Sequence, residues 1–161
     1  MKRNILLVLL IFFGCPQLIA QEIPGFKVTN LKDQTFETSA LNKTDNTVKV
    51  LSFWATWCIP CINELSILND LSDDWKKNLK YDFYAISQDD SRTIKKVASL
   101  VNGKGWDFSV LLDKNQDFKR LMNLPGIPYT IVVKNGKILY RHIGYVEGDE
   151  NELYKIIKDN Q

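Results

Sequence analysis

Histidine and cysteine are the scarcest chemistry-bearing residues of this chain. There is one histidine, His142, and there are three cysteines, Cys15, Cys58 and Cys61, in 161 residues. A structural zinc site needs four ligands, and Cys15 falls in a targeting-type segment, so a mature chain would be short of them. A c-type haem attachment needs histidine directly after the second cysteine of a C-x-x-C pair, where this chain has Ile62. No metal or other cofactor is therefore expected. Charge of one sign is also lacking. The formal net charge is +2, and Lys2 and Arg3 account for all of it, because the first twenty residues carry no acid. A neutral remainder has no basic footprint for nucleic acid. Internal repeats, low-complexity tracts and interdomain linkers are absent, which points to one domain with a sizeable core.

The N-terminus reads as a secretory signal. Lys2 and Arg3 form a basic start, residues 5–13 an apolar run, and Leu18-Ile19-Ala20 a cleavage site before Gln21. The run is shorter than the ~20 residues of a transmembrane helix. The expected organisation is a signal peptide over residues 1–20 and one domain over 21–161, placed in the periplasm or cell envelope. Phe13-Gly14-Cys15 offers a second reading, lipoprotein processing, in which Cys15 bears the lipid and tethers the protein to the membrane. Under simple cleavage the mature chain keeps only Cys58 and Cys61, in a compartment that is usually oxidising.

Trp57-Cys58-Ile59-Pro60-Cys61 is where the chemistry concentrates. Two residues between the cysteines let their sulfurs close a disulfide across one turn. If that turn opens a helix, its unsatisfied N–H groups and positive end favour an anion there. Motifs of this kind pull a thiol pKa from about 8.5 into the range ~3.5–7.5. Cys58 at the helix mouth is then the exposed attacking thiol, and Cys61, one turn inside, resolves the mixed disulfide. A purely structural disulfide is the bland alternative, but so short a loop removes little entropy from the unfolded chain.

Periodicity supplies the frame. Residues 26–29 and 35–38 alternate apolar and polar side chains around a turn, the pattern of a hairpin. Val48–Trp54 and Tyr81–Ser87 are strand-like runs suited to a sheet buried on both faces. Leu65, Leu68, Leu71 and Trp75 recur at helical spacing after the cysteines. Ser91 is expected to cap a helix that carries Ile94, Val97, Ala98 and Val101 and ends near Gly103. A strand over 107–112 and a short helix over 116–122 follow. Strands over 129–133 and 138–145 are joined by Asn135-Gly136, a strong hairpin signal, and a helix over 151–158 closes the chain. Trp75, Phe83, Tyr84 and Trp106 read as core, and His142 as a surface residue. The alternation implies an α/β sandwich around a mixed sheet.

Phe53-Trp54-Ala55-Thr56-Trp57-Cys58-Ile59-Pro60-Cys61, with Gly126-Ile127-Pro128 about seventy residues later, resembles the thioredoxin superfamily. More narrowly, the chain is similar to the exported TlpA/ResA-type thiol–disulfide oxidoreductases, over about residues 23–157. The resemblance implies a thioredoxin-like sandwich with an N-terminal β-hairpin extension. It also implies a cis Pro128 facing the disulfide. With Ile127, that proline would leave a backbone edge free for an extended substrate. Glu64, three residues after Cys61, stands at the family's buried carboxylate, and Ser52 replaces the aspartate of cytoplasmic thioredoxins. Cys61 and Glu64 share a helix face, so a carboxylate of raised pKa there could take the Cys61 proton. Trp57 would be an exposed substrate platform. The family's proline two residues after the glutamate is Ser66, so the usual helix kink is not expected, and Tyr129 replaces the common threonine after Pro128.

The implied function is reduction or exchange of disulfides in envelope proteins, fed by an upstream membrane or periplasmic thiol donor. A disulfide-forming oxidase shares the motif, since direction depends on potential. A copper or apocytochrome chaperone, a binding module tied to cytochrome c maturation, is the reading from another class; copper would recruit His142. Peroxide reduction would need a Thr-x-x-Cys arrangement, which is absent.

Overall fold

Val48, Val50, Phe53 and Trp54, β-branched or aromatic, help make Val48–Trp54 an interior strand of a seven-stranded sheet, buried at all seven positions. The computed structural model describes residues 22–161, so the signal segment and Cys15 lie outside the described residues. In chain order the elements are β1 (Lys27–Asn30), β2 (Thr35–Glu37), a 3-10 turn (Thr38–Asn42), β3 (Val48–Trp54), α1 (Ile59–Asn78), β4 (Tyr81–Ser87), α2 (Lys95–Lys104), β5 (Ser109–Leu112), α3 (Asp117–Leu121), β6 (Tyr129–Lys134), β7 (Lys137–Ile143) and α4 (Asp149–Asp159). The strand order is β2-β1-β5-β4-β3-β6-β7. β3, β4 and β5 run parallel, and β6, β7, β1 and β2 add as antiparallel neighbours. This is the expected α/β sandwich, a thioredoxin-like mixed sheet flanked by helices with an N-terminal hairpin.

Period-two alternation along β3 splits the core between two layers. Leu51 and Phe53 face one side, where Ile86, Phe118 of α3, Met122 and Ile131 pack against them. Val48, Val50 and Trp54 face the other, covered by Leu65, Leu68 and Trp75 of α1, Val97 and Val101 of α2, and Leu153 and Ile157 of α4. Trp54 meets Trp106 edge-on at 5.3 Å between ring centroids, a preferred aromatic geometry. Lys49 is buried within the strand, and its ammonium is paired with the Asp45 carboxylate at 2.8 Å, as a buried charge requires.

Turn chemistry holds where it was expected. Asn135 and Gly136 both take positive φ, 50° and 77°, as a two-residue hairpin turn of this hand requires. Several boundaries move. Ser91 caps no helix; residues 91–94 form turns, and α2 begins at Lys95. The N-cap of α2 is Ile94, with no side-chain cap, and Asp90 organises the turn before it, its Oδ1 accepting the Arg92 N–H at 2.9 Å. α2 runs past Gly103 to Lys104, because Gly105, at φ 67°, is the glycine that adopts the left-handed ending. The strand expected over 107–112 starts at Ser109, and that expected over 138–145 covers Lys137–Ile143. The helix expected over 116–122 is Asp117–Leu121, and the last helix begins at Asp149 rather than 151.

Candidate active site

The parallel strand β3 ends at Trp54, and the chain then turns directly into α1 with Cys58 as its N-cap. Pro60 sits in the first turn, where a missing N–H costs no helical hydrogen bond. Cys58 and Cys61 are joined by a disulfide with their Cα atoms 5.3 Å apart. α1 is continuous from Ile59 to Asn78 through Ser66. The loop before the cysteines is braced by Asp89, which is fully buried. Its carboxylate accepts the Thr56 N–H at 2.9 Å, the Thr56 hydroxyl at 2.6 Å and the Ser87 hydroxyl at 2.9 Å.

Both sulfurs belong to the apolar cluster of Trp54, Ala55 and Leu65. Cys58 is 6% exposed and Cys61 fully buried, so Cys58 is more enclosed than its place at the helix mouth suggests. The exposed groups are its neighbours, Trp57 at 60% and Ile59 at 72%. Ile127 is half-buried and packs against the cluster that holds both cysteines. The Ile127–Pro128 peptide bond is cis, Pro128 is buried, and its carbonyl accepts the Gly144 N–H at 2.9 Å.

Glu64 lies one turn beyond Cys61 and is 5% exposed. Its Oε1 accepts the Thr130 hydroxyl at 2.9 Å, and its Oε2 has no hydrogen-bond partner among the described residues. The Ser52 hydroxyl lies beside the same carboxyl, outside hydrogen-bond geometry. Burial pushes the Glu64 pKa up to about 7, against the opposing pull of Thr130 and Ser52, and the Asp149 charge adds to the rise. A carboxyl titrating near neutrality can accept or give a proton at working pH.

Sequence reasoning missed Thr130 and Asp89. Thr130 had one available signal: it stands two residues after Pro128, on the strand face opposite the apolar Tyr129 and Ile131. Asp89 lies just past the C-terminal end of a parallel strand, the end where α/β sheets place functional groups. His142 pairs with Asp149, Nε2 to Oδ2 at 3.1 Å. Among the described residues no cluster of three or more His, Cys, Asp or Glu is arranged to hold a metal.

Residues 19–141 match the family model described as AhpC/TSA family. The chain belongs to the AhpC/TSA family. Among family relatives, it is 30% identical over 137 residues to a protein named thiol-disulfide oxidoreductase ResA of Bacillus anthracis, spanning 84% of this chain and 76% of that one. It is 37% identical to a thioredoxin-like protein of Porphyromonas gingivalis, whose solution structure superposes with a TM-score of 0.74 over 88% of this chain and 95% of that one. A thiol:disulfide interchange protein of Chlorobium tepidum, at 19% identity, shares the fold with a TM-score of 0.69 over 88% and 96% of the two chains. With the Cys58–Cys61 disulfide at the head of α1, this family member is a thioredoxin-fold thiol–disulfide oxidoreductase.

Proposed function

We propose that the protein is an exported reductant or exchanger of disulfides in other envelope proteins. The observation that carries this reading is a disulfide at a helix N-terminus with a buried carboxyl of raised pKa one turn behind it. In the reduced protein, Cys58 is the nucleophile, its thiolate favoured by the helix N-terminus. It attacks one sulfur of a substrate disulfide, forms a mixed disulfide and releases one substrate thiolate. Glu64 then takes the Cys61 proton, the Cys61 thiolate attacks Cys58 Sγ, and the second substrate thiol leaves. Ile127 and Pro128 hold the extended substrate beside the sulfurs, and Trp57 offers it an apolar platform. Electrons return from an upstream membrane or periplasmic thiol donor.

The reduction potential tests the direction. Equilibration with glutathione or dithiothreitol should place it closer to thioredoxin's ~−270 mV than to the ~−120 mV of a strong periplasmic oxidant. The physical reason is that ionising Cys61 beside a Cys58 thiolate and an acidic Glu64 is costly. The reduced pair then lacks the extra thiolate stabilisation that makes an oxidant. A value near the oxidising limit would make the protein a disulfide-forming catalyst instead.

Export is part of the same reading: residues 1–20 act as a signal and residues 21–161 form the working domain. Intact mass of the protein from its native host should correspond to a chain beginning at Gln21. A retained Met1 defeats export by cleavage, and a diacylglyceryl group on Cys15 replaces it with a membrane tether.

A further inference from the structure

Ser52 on β3, Thr130 on β6 and His142 on β7 are direct register partners, so they form one row across the same face of three adjacent strands. The next row on that face is Val50, Val132 and Tyr140, and buried Leu68 and Leu153 pack nearby. A polar row inside an apolar layer costs free energy unless each group is satisfied or used. At its buried end Thr130 donates to Glu64, whose Oε2 is without a hydrogen-bond partner among the described residues. At its open end His142 meets Asp149, with side chains 31% and 22% exposed. Glu64, Thr130, His142 and Asp149 together line a small cavity of about 10 Å³, close to the least volume that holds one water.

We infer that His142, held by Asp149, is the station through which buried Glu64 exchanges its proton with solvent, across a single water seated in this cavity. The inference rests on the proton-accepting role of Glu64 given above. After Glu64 has taken the Cys61 proton, its carboxylic acid donates that proton to the cavity water. The water passes one proton to the neutral imidazole, and Glu64 is again a carboxylate; no electrons move. Nε2–H donates to Asp149, which leaves Nδ1 as the basic nitrogen. The resulting imidazolium stays paired with the Asp149 carboxylate through Nε2–H and releases the Nδ1 proton to bulk water, its side chain being 31% exposed. The reverse sequence reloads Glu64 when the enzyme is oxidised.

The pair is built to stay in place. Asp149 Oδ2 also accepts the Val146 N–H at 2.9 Å, and the imidazole stacks on Tyr140 with an interplanar angle of 3°. Facing His142 are Glu64 from α1, Tyr140 from its own strand, and Asp149 and Glu150 from α4. Tyr145 lines the same cavity and donates to Glu150 at 3.0 Å. Burial and the Glu152 charge push the Tyr140 phenol up to about 12. Burial and Glu150 raise Tyr145 further, so neither phenol gives up a proton near neutrality. Glu147 and Glu152 add negative charge around the two phenols.

Catalytic turnover with excess disulfide substrate, in which Glu64 must shed its proton in every cycle, followed from pH 6 to 9 in the full mature chain, tests the relay. H142Q should turn over about tenfold more slowly near neutrality, less than the 10²–10⁴ typical of a direct general acid or base. Added imidazole should restore the rate of H142Q and leave the wild type unchanged, a rescue that a merely structural defect would not show. D149N should be slowed in the same direction, and H142Q should add nothing in an E64Q background. An H142Q rate equal to wild type while E64Q is slow overturns the relay and leaves the Glu64 role standing. A fast E64Q overturns both. Slowing of H142Q that persists in E64Q, or that imidazole does not relieve, also overturns it.

Discussion

Replacing Cys61 by serine should stop turnover at a covalent intermediate. Cys61→Ser leaves Cys58 able to attack a substrate disulfide and removes the only sulfur within one helical turn that can displace the bound substrate. Mixed disulfides through Cys58 should therefore accumulate and be visible as adducts on non-reducing gels, while catalytic reduction falls to background. Cys58→Ser should give neither adducts nor activity. Loss of the four-residue disulfide loop costs about 2 kcal/mol in the chain-entropy picture, less than a domain of this size can bear. The loss of activity thus reports chemistry rather than unfolding. In the reduced wild type, alkylation at neutral pH should mark Cys58 well before Cys61, because only Cys58 lies at the rim, next to exposed Trp57 and Ile59. Partner capture by Cys58→Ser, or faster labelling of Cys61, would reverse the roles.

The second large effect belongs to Glu64. Its pKa is near 4.5 when free and about 7 in the fold, raised chiefly by burial. Below about pH 4.5 both folded and unfolded chains hold the proton, and the residue is neutral to stability. Between about 4.5 and 7 the unfolded chain has lost that proton while the folded chain keeps it, so stability falls as pH rises. Above 7 both are ionised, and the full penalty remains. The shift corresponds to about 3 kcal/mol. Glu64→Gln keeps an acceptor for Thr130 and removes the buried charge. It should raise the stability of the oxidised protein at pH 8 by up to that amount and flatten the pH dependence between 4.5 and 7. The same variant should slow mixed-disulfide resolution and flatten its pH profile above neutrality. Urea unfolding at pH 5 and pH 8 reads the first effect, and stopped flow reads the second. Equal denaturation midpoints for variant and wild type at pH 8 would show that Glu64 carries no buried charge in the fold.

Much of this site was legible in the chain. Cys58 and Cys61 stand in one stretch of sequence, directly after an apolar run that reads as a buried strand. Their chemistry follows from that spacing and from the electrostatics of a helix start, both local properties. Glu64 came instead from the resemblance to the TlpA/ResA-type proteins, and its place one turn beyond Cys61 supplied the physical reason for its role. Ser91 shows where local reading failed: it is a good capping residue in the abstract, but residues 91–94 are taken up by a turn in which Asp90 accepts the Arg92 N–H, and α2 starts later, at Lys95. Cys58 was expected to be exposed because helix mouths usually are; its burial depends on the packing of Trp54, Ala55 and Leu65 around the disulfide.

By itself the sequence determined the dithiol chemistry, the alternation of strands and helices, the N-terminal hairpin and the Asn-Gly turn, because each depends on residues a few positions apart. Only the tertiary structure decided that Ser52, Thr130 and His142 form one row beneath Glu64, since Thr130 lies 66 residues from Glu64 along the chain. Periodicity shows which residues of a strand share a face, but not which strands become neighbours or in what register. Those follow from how the whole core closes, and with them come the burial of Glu64, its titration near neutrality and its route to solvent.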